Sequence, residues 1–564
     1  MDVDGEYDDH LEAESGDYNN AEEERMKDQS LPEVTITSFT EVNRDESTIP
    51  AVKQRSYTGR KVIPSAVANT LCADLGVEGV LEKLNAILGT SYTLDSVISV
   101  LNPYIAQGFD FGTTYAYLRP FWDDVHTIEH KLRTRENEDR EMRQNVLVDG
   151  KITTAIVPPR RVWDLYANRV VPYWVALSLG RERWYGISHA WVGDEDRISI
   201  MTPINENEWS VPMPKHGSLD LVRIEMLNVG AEYAWLDILC LRQQGGRGEH
   251  LRTEEWKLDV PTIGAMYDWD PVVCYFNGLG QPLYLTPSYF ESDRCWFRRA
   301  WTLQEITENP IIGGETDGDY VMDEGVRKRF DEKLAWLRDI REWDMTLDIL
   351  AEMRNRVSTK PLDKVAGLVY LLRTESIPIY DAEQSQADAW EVLMDVMAPG
   401  FRAEFFFFYP ECGNGKKCWR PSWQQVMANR IVEPDFSRWP GQVRRMEETD
   451  VDCYTGYRVE SAKVRHLADI PNEGEPRRGE LVLKDGTGAP HILNIVADHA
   501  YPIPDGSYTL ICCDADGELP TDIWVAGQLR EDETFEKISV FSSAEDEEVK
   551  VRQLGFKQVD TILG

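Results

Sequence analysis

Apolar residues change their spacing twice along the chain, which divides it into regions of different predicted structure. Between residues 71 and 146 they recur every three or four positions, as on the buried face of an amphipathic helix. One such run stops at Gly89, a residue that commonly ends helices because it tolerates a left-handed backbone. A helical N-terminal region is therefore predicted over residues 61–160.

The next region alternates short apolar runs with segments of helical spacing. RWYGIS (183–188), YAWLDIL (233–239) and PVVCYF (271–276) have the length of buried strands, and a helical segment between the first two ends at Gly230. Strands that alternate with helices are typical of βαβ units. We therefore expect an α/β fold over residues 161–310, with a mostly parallel sheet flanked by helices.

The stretch DRCWFRRAWTLQEI (Asp293–Ile306) is predicted to form one amphipathic helix after the third strand. Its expected buried stripe, at helical spacing, consists of Trp296, Ala300, Leu303 and Ile306. Arg298, Trp301 and Glu305 fall on the opposite side. They form either a solvated face with an ordinary surface ion pair or one wall of a binding site.

The remaining sequence predicts two further regions. Residues 311–440 contain amphipathic segments that continue the helical part, except that four consecutive phenylalanines, Phe405–Phe408, predict a strand buried on both faces. From residue 441 to residue 564, short apolar runs are separated by turn residues at regular intervals. This spacing predicts a small, separate, antiparallel C-terminal β domain.

The charge of the chain limits its partners. Lys and Arg number 60 against 98 Asp and Glu, which gives a formal net charge of −38. The first 28 residues hold twelve acidic and two basic residues, so a disordered acidic tail and linker is predicted over residues 1–60. The remaining negative charge would repel phosphate backbones and anionic lipids, and we expect neither a nucleic-acid nor a membrane partner.

The sequence also favours a reduced, cytoplasmic location. The N-terminus lacks a basic segment followed by an apolar one, and the longest apolar run, Val170–Leu179, is too short to span a membrane. Nine cysteines without a CxxC pair are typical of an intracellular protein. Cys412 and Cys418 lack a second pair of ligands nearby in sequence, so no metal site is expected.

Polar residues follow each predicted strand of the α/β region. In a parallel sheet these strand ends meet at one edge, where ligands bind. The candidate site residues are Ser188, His189 and Trp191 after the first strand, Asp237, Cys240 and Gln243 at the second, and Arg298, Arg299, Trp301, Gln304 and Glu305 on the helix after the third.

Each of these candidates also has a structural explanation. Asp237 lies in an apolar run, so its carboxylate either anchors backbone amides or is tuned for a reaction. A histidine in the position of His189 is more often a hydrogen-bonded structural residue than a base. A buried cysteine such as Cys240 is commonly inert. The loop NGLG (277–280) has too few of the glycines of a phosphate loop and is more typical of a turn.

Three segments in order, WYGISHAWVG, YAWLDILCLRQ and FRRAWTLQE, resemble the three motifs of the fungal heterokaryon-incompatibility (HET) domain. The usual forms of those motifs are Y-x-A-L-S-Y-x-W-G, W-I-D-x-L-C-I-N-Q and R-x-W-T-x-Q-E. STKPLDKVAGLVYLL (358–372) and WRPSW (419–423) resemble segments that follow that domain. The chain departs at His189, where Tyr is usual, at Arg242, where Asn is usual, and at Val192, which separates Trp191 from its glycine.

HET domains are themselves similar to TIR domains, some of which hydrolyse NAD with a glutamate on a helix that bears a W-C-x-x-E-L type motif. By this resemblance WTLQEI (Trp301–Ile306) makes Glu305 the catalytic carboxylate and NAD a possible substrate, with no other cofactor implied. Trp191 or Trp301 would stack on nicotinamide or adenine, and Arg298 or Arg299 would bind the pyrophosphate.

The resemblance implies a cytoplasmic protein of fungal non-self recognition that triggers programmed cell death. Two interpretations of its action are kept. The first is an enzyme that cleaves NAD. The second is a non-catalytic signalling module that self-associates or recruits protein partners through the same sheet edge.

Overall fold

A computed structural model describes residues 29–177, 183–269, 271–317, 322–343, 346–428, 440–446, 449–469, 475–485, 487–515, 519–544 and 558–564. The acidic tail predicted over residues 1–28 lies outside the described residues. The chain divides into two compact units. The first unit comprises the described residues within Met1–Leu147, Ile156–Phe297 and Glu305–Glu332, and the second those within Val148–Ala155, Arg298–Gln304 and Lys333–Gly564.

In chain order, the α-helices of the described residues are α1 (Ser38–Val42), α2 (Ser65–Ala68), α3 (Cys72–Leu88), α4 (Leu94–Ala106), α5 (Phe111–Leu118), α6 (Ile128–Asn145), α7 (Tyr173–Ala176), α8 (Leu219–Asn228), α9 (Asp237–Cys240), α10 (Arg252–Asp259), α11 (Gly264–Trp269), α12 (Thr302–Glu305), α13 (Glu324–Trp343), α14 (Thr346–Arg354), α15 (Asp363–Ala366), α16 (Gln386–Val396), α17 (Pro399–Phe408) and α18 (Trp423–Ala428).

The strands of the same residues are β1 (Val34–Thr37), β2 (Ser56–Gly59), β3 (Leu147–Val148), β4 (Lys151–Ile152), β5 (Arg161–Asp164), β6 (Arg169–Pro172), β7 (Trp184–His189), β8 (Arg197–Ile200), β9 (Val211–Pro214), β10 (Tyr233–Trp235), β11 (Val272–Tyr275), β12 (Ile311–Ile312), β13 (Ile377–Pro378), β14 (Val443–Met446), β15 (Val451–Arg465), β16 (Arg477–Lys484), β17 (Pro490–Ala497), β18 (Gly506–Ala515), β19 (Leu519–Leu529), β20 (Thr534–Ser543) and β21 (Gln558–Leu563).

The first unit is built around a mixed sheet. Within the described residues this sheet has six strands in the order β12-β11-β7-β10-β5-β6. The pairs β12–β11, β11–β7 and β7–β10 are parallel, whereas β10–β5 and β5–β6 are antiparallel. The prediction of a mostly parallel sheet is therefore wrong, and the largest sheet of the described chain, in the second unit, is mainly antiparallel.

A hairpin explains why the sheet is mixed. β5 and β6 are joined by a short turn in which Asn168 has a φ of 54°. Trp163 Nε1 donates a hydrogen bond to Asn168 Oδ1 at 3.1 Å and fixes that turn. A connection this short can only join antiparallel strands, because parallel strands need a long crossover. The asparagine between two short apolar runs was the sequence signal for this turn.

The predicted helical N-terminal region is confirmed in the first unit. Helices α3, α4, α5 and α6 lie in the predicted segment, and their apolar faces pack together with β5, β6 and β7. Buried members of this core include Val80, Leu84, Val97, Leu101, Tyr115, Trp122, Val162, Val171 and Trp184.

Residues 29–60 were expected to be tail and linker, but their described part contains regular structure. β1 and β2 pair antiparallel, and the side chain of Ile36 is fully buried. Gln54 Nε2 donates to Glu225 Oε2 on α8 at 2.8 Å, and Tyr275 Oη donates to the same oxygen at 2.9 Å. Because these polar contacts join residues far apart in the sequence, hydrophobic spacing does not reveal them.

Two predicted elements of the site region also differ from the structure. The strand YAWLDIL ends at Trp235, and α9 begins at Asp237. Instead of one helix over Asp293–Ile306, a 3₁₀ turn over Trp296–Arg298 precedes α12. Between them Arg299 forms an isolated bridge with Val357, and Ala300 N donates to Val357 O at 3.0 Å, a pairing that a continuous helix would prevent.

The second unit combines helices with a β-sheet. Phe405–Phe408, predicted as a strand, is instead the end of α17. A helix that is covered on every side is as apolar as a buried strand, so the phenylalanine run could not distinguish the two. Lys537 Nζ on β20 donates to Phe405 O at 2.9 Å and to Tyr409 O at 2.6 Å, and thereby satisfies carbonyl groups at the end of α17.

The C-terminal residues form the expected antiparallel strands. Among the described residues the sheet has eight strands, with the path β14-β15-β16-β17-β20-β19-β18 and with β21 paired to both β15 and β20. β15 also pairs with β18, so the sheet closes on itself, and only β20–β21 is parallel. Its interior includes Val464, Leu481, Leu493, Leu510, Trp524 and Phe541. The structure groups this sheet with the helices of residues 333–428 in one unit.

A buried arginine joins the N-terminal helices to the mixed sheet. Arg119 follows α5 and is 9% exposed. Its Nη2 atom donates to Asp164 Oδ2 of β5 at 2.9 Å and to Tyr233 Oη of β10 at 2.8 Å. Its Nη1 atom is paired with Glu232, the residue before β10. One guanidinium therefore balances two fully buried carboxylates.

We predict that Arg119→Met lowers the free energy of unfolding by about 3–5 kcal/mol, because Asp164 then remains buried without a counter-charge and Glu232 keeps only its pair with the more exposed Arg183. Urea denaturation followed by circular dichroism measures this change. Arg133→Met is the matched control, since Arg133 forms an exposed helical pair with Glu129 and its loss should change stability by less than about 1 kcal/mol. Equal effects of the two substitutions would contradict the role assigned to Arg119.

Candidate functional site

The candidate site lies where the parallel strands β7 and β10 end. The two strands pair from Tyr233 opposite Trp184 to Trp235 opposite Gly186. β7 therefore continues past β10 to Ser188 and His189, beside the chain that leaves β10 at Asp237. The carboxyl ends of parallel strands are the usual place for ligands in α/β sheets. The parallel half of the mixed sheet thus retains this geometry.

Ser188 and Glu305 form the first contact of the site. Ser188 Oγ donates to Glu305 Oε2 at 2.5 Å, and Trp296 Nε1 donates to Ser188 Oγ at 2.8 Å. An indole nitrogen can only donate, so Ser188 accepts from Trp296 and directs its own proton to the carboxylate. Ser188 is 1% exposed, whereas Glu305 is half-buried. The carboxylate is therefore held in one orientation and still reaches solvent.

His189 and Asp237 form the second contact. His189 Nε2 lies 2.9 Å from Asp237 Oδ1, which also accepts from Ile238 N at 2.7 Å. Trp191 Nε1 donates to Asp237 Oδ2 at 3.2 Å. The imidazole and the indole of Trp191 are stacked with their ring centres 5.7 Å apart. The carboxylate of Asp237 thus fixes the orientation of both the imidazole of His189 and the indole of Trp191.

Charge in the site favours a protonated His189. Burial lowers the pKa of this histidine, but the nearby carboxylate of Asp237 and, more weakly, that of Glu305 outweigh it, so the pKa is raised above the ordinary value of 6.5. The imidazolium would then balance negative charge at the strand ends. The two carboxylates thus favour the positively charged form of His189.

Two residues of the site were not among the sequence candidates. Trp296 was assigned only to a buried stripe, and Tyr267 of α11 gave no signal. Tyr267 Oη donates to Ile187 O at 3.2 Å, and its ring lies against Gly186, where an added Cβ would meet it at 3.1 Å. Burial and then the charge of Glu305 raise the pKa of Tyr267 well above its usual range, so its hydroxyl stays protonated.

Cys240 and Gln243 have supporting positions. Cys240 is 1% exposed, and burial raises the pKa of its thiol to about 12, which makes it a poor nucleophile. Gln243 Nε2 donates to Leu241 O at 2.9 Å and to Asp237 O at 3.3 Å. Gln243 therefore fixes the loop after α9.

The structure does not place all candidates in one unit. Arg298, Arg299, Trp301 and Gln304 belong to the second unit, where Arg299 O accepts from Arg356 Nη1 at 2.7 Å. The residues that the first unit brings together are Ser188, His189, Trp191, Asp237 and Glu305, and we call them the strand-edge cluster.

A cavity of about 540 Å³ opens beside the strand-edge cluster and shares Trp191 with it. Its wall combines aromatic rings with basic side chains; the aromatic members are Trp191, Phe276, Tyr284 and Tyr289, and the basic ones are Lys215, His216 and Arg294. Asp196 also lines it and is paired with Arg294 at 3.0 Å. Small-molecule sites are typically of this size.

Comparison with family models, with curated proteins and with solved structures finds no match to this chain. Among the helices of the described residues, none has the length and apolar character needed to cross a membrane. In the same residues no group of three or more His, Cys, Asp or Glu side chains is arranged to hold a metal ion.

The raised pKa of His189 predicts a pH-dependent stability. A group whose pKa is raised by folding stabilises the protein fully below its unfolded value, and this contribution is lost as the pH rises through the folded pKa. Asp237→Asn removes the carboxylate that raises the pKa. We therefore expect the melting temperature to differ more between wild type and Asp237→Asn at pH about 6 than at pH about 8.5.

Differential scanning fluorimetry across this pH range measures the difference. His250→Gln, at an exposed histidine, is the control and should leave the pH profile unchanged. A difference between wild type and Asp237→Asn that stays constant with pH would show that His189 does not carry the predicted charge.

Proposed function

We propose that the chain cleaves the nicotinamide–ribose bond of NAD, or of a closely related dinucleotide, at the strand-edge cluster. The observation that supports this most is the Ser188–Glu305 hydrogen bond beside the His189–Asp237 pair. A half-buried carboxylate that is oriented by a serine is suited to stabilise a positively charged sugar. The proposal depends on these contacts. It does not depend on a mostly parallel, TIR-type sheet, since the observed sheet contains both parallel and antiparallel strands.

The reaction consumes one water molecule. The bond between ribose C1′ and the nicotinamide nitrogen breaks, its electron pair leaves with nicotinamide, and the sugar develops oxocarbenium character. Glu305 stabilises that positive charge and orients the ribose. Water then adds to C1′ and loses a proton, which yields ADP-ribose. Ser188 keeps the carboxylate in place throughout the reaction. Its hydroxyl oxygen accepts from Trp296, and its only proton is donated to Glu305.

The adjoining cavity supports the choice of a dinucleotide. Aromatic faces such as those of Trp191 and Tyr284 suit stacking on nicotinamide or adenine, and Lys215 and His216 are exposed basic groups that suit a pyrophosphate. Arg197 lies with its guanidinium 5.6 Å from the Trp191 ring centre and supports this aromatic wall. The volume of the cavity is sufficient for a nucleotide-sized ligand.

The three HET-like motifs support a biological role for this activity. Ser188 and Trp191 belong to the first motif, Asp237 to the second and Glu305 to the third. We propose that NAD loss at this cluster kills the cell during fungal non-self recognition in the cytoplasm, with protein partners or self-association controlling the activity.

Glu305→Gln tests the proposal because it preserves the shape of the side chain and removes its charge. We expect the purified variant to remain folded and to hydrolyse NAD at least about 100-fold more slowly than wild type, as measured by nicotinamide release. Expression in fungal cells should no longer be toxic.

Glu308→Gln is the matched control, an exposed glutamate three residues further along the chain, and should retain activity and toxicity. A folded Glu305→Gln protein that still kills cells would refute the enzymatic proposal. It would favour the non-catalytic signalling module instead. Circular dichroism and the melting temperature verify that each variant is folded.

A further inference from the structure

A second cleft, lined by basic residues, lies within the second unit and shares no residue with the strand-edge cluster. Its volume is about 670 Å³. The residues of its wall that bear on its chemistry are Arg354, Arg356, Ser358, Lys364, Gln386 and Trp423. Except for Gln386, these residues fall in or beside the two downstream segments STKPLDKVAGLVYLL and WRPSW, to which the proposed reaction assigns no role.

Local structure explains why these side chains converge. Arg354 ends α14, Lys364 lies in the first turn of α15, and Trp423 begins α18. Lys364 Nζ donates to the backbone carbonyl of Arg354 at 3.3 Å, which ties the Lys364 side chain to the end of α14. Gln386 Nε2 donates to Pro361 O at 2.7 Å and anchors the intervening loop.

The charge of the lining is opposite to that of the whole chain. Three of the lining residues are Lys or Arg and none is Asp or Glu, in a chain of net charge −38. Asp363, the acid next to Lys364, accepts from Ser358 Oγ at 2.7 Å and from Tyr380 Oη at 2.8 Å. The carboxylate of Asp363 is therefore hydrogen-bonded to two hydroxyl groups, and Asp363 is not among the residues that line the cleft.

Arg356 is a buried, hydrogen-bonded side chain in the wall of the cleft. It is 1% exposed, and its Nη1 atom donates to Arg299 O at 2.7 Å and to Thr302 Oγ1 at 2.9 Å. Its Nε atom donates to Glu352 Oε1 at 3.1 Å. Lys364, in contrast, is half-buried, and burial lowers the pKa of its amine. An anion in the cleft would relieve this cost of burying a positive charge.

An aromatic wall completes the cleft. Trp423 is 6% exposed and packs against Trp390 with ring centres 5.4 Å apart, which fixes its orientation. A ligand that combines negative charge with a flat ring would engage both the cations and this indole. The volume is that of a small-molecule site and not of a long peptide groove.

We propose that this cleft binds a small phosphate ester of the nucleoside diphosphate type. Its phosphates contact Arg354 and Lys364, and its base lies beside Trp423. The inference does not depend on the proposed NAD cleavage, since it uses none of the residues of the strand-edge cluster or its cavity.

Isothermal titration calorimetry of the full chain with ADP and with inorganic pyrophosphate tests the inference. We expect ADP to bind more tightly than pyrophosphate, because only ADP reaches the aromatic wall. Arg354→Gln and Lys364→Gln should each weaken ADP binding about tenfold or more, since each removes a charged contact to phosphate. Lys360→Gln is the matched control on the same loop. Lys360 lies 5.7 Å over the ring of Tyr380, and its substitution should leave the affinity unchanged.

Lys215→Gln identifies which cavity the nucleotide occupies, because Lys215 lines the cavity beside the strand-edge cluster. Loss of ADP binding in Lys215→Gln but not in Lys364→Gln would overturn the inference. So would the absence of binding by both probes, or binding of a hexaglutamate peptide more tightly than ADP. The NAD-cleaving activity is measured separately, through nicotinamide release, so a failure of this inference is distinguishable from a failure of the proposed function.

Discussion

The arrangement of the first unit depends on one buried ion-pair cluster, in which an arginine side chain is paired with carboxylates that water does not reach. Arg119 is placed between β5 and the start of β10, where it contacts Asp164, Glu232 and the hydroxyl of Tyr233. A buried charge is tolerated only when it is paired and hydrogen-bonded, so this contact fixes the distance between the helical region and the sheet. It also fixes the start of β10. Because β10 is only three residues long, this contact helps to position Asp237, which follows the strand and contacts His189.

The candidate site combines two short hydrogen-bond relays that begin at indole nitrogens. In one, Trp296 donates to Ser188, which donates to Glu305. In the other, Trp191 donates to Asp237, which also holds His189. Because an indole nitrogen cannot accept, each relay has a fixed direction and ends on a carboxylate. The orientation of the acidic groups is therefore set by the indole rings of Trp191 and Trp296.

The sequence predicted part of this arrangement, for a physical reason. Residues at the ends of parallel strands meet regardless of what lies between them, so Ser188, His189 and Asp237 were found from strand pattern alone. Tyr267 and the Trp296–Ser188 bond were missed because they depend on tertiary approach. The sheet was predicted to be mostly parallel but is mixed, because the turn at Asn168 makes β5 and β6 an antiparallel hairpin. Phe405–Phe408 was misassigned because complete burial removes the periodicity that separates helix from strand.

The way the chain alternates between its two units has a consequence for how such a gene can diversify. The backbone passes from one unit to the other near residues 148, 156, 298, 305 and 333. A single recombination event between alleles would therefore mix parts of both units rather than exchange one intact. Exchange of one intact unit would need several crossovers at defined positions in the coding sequence.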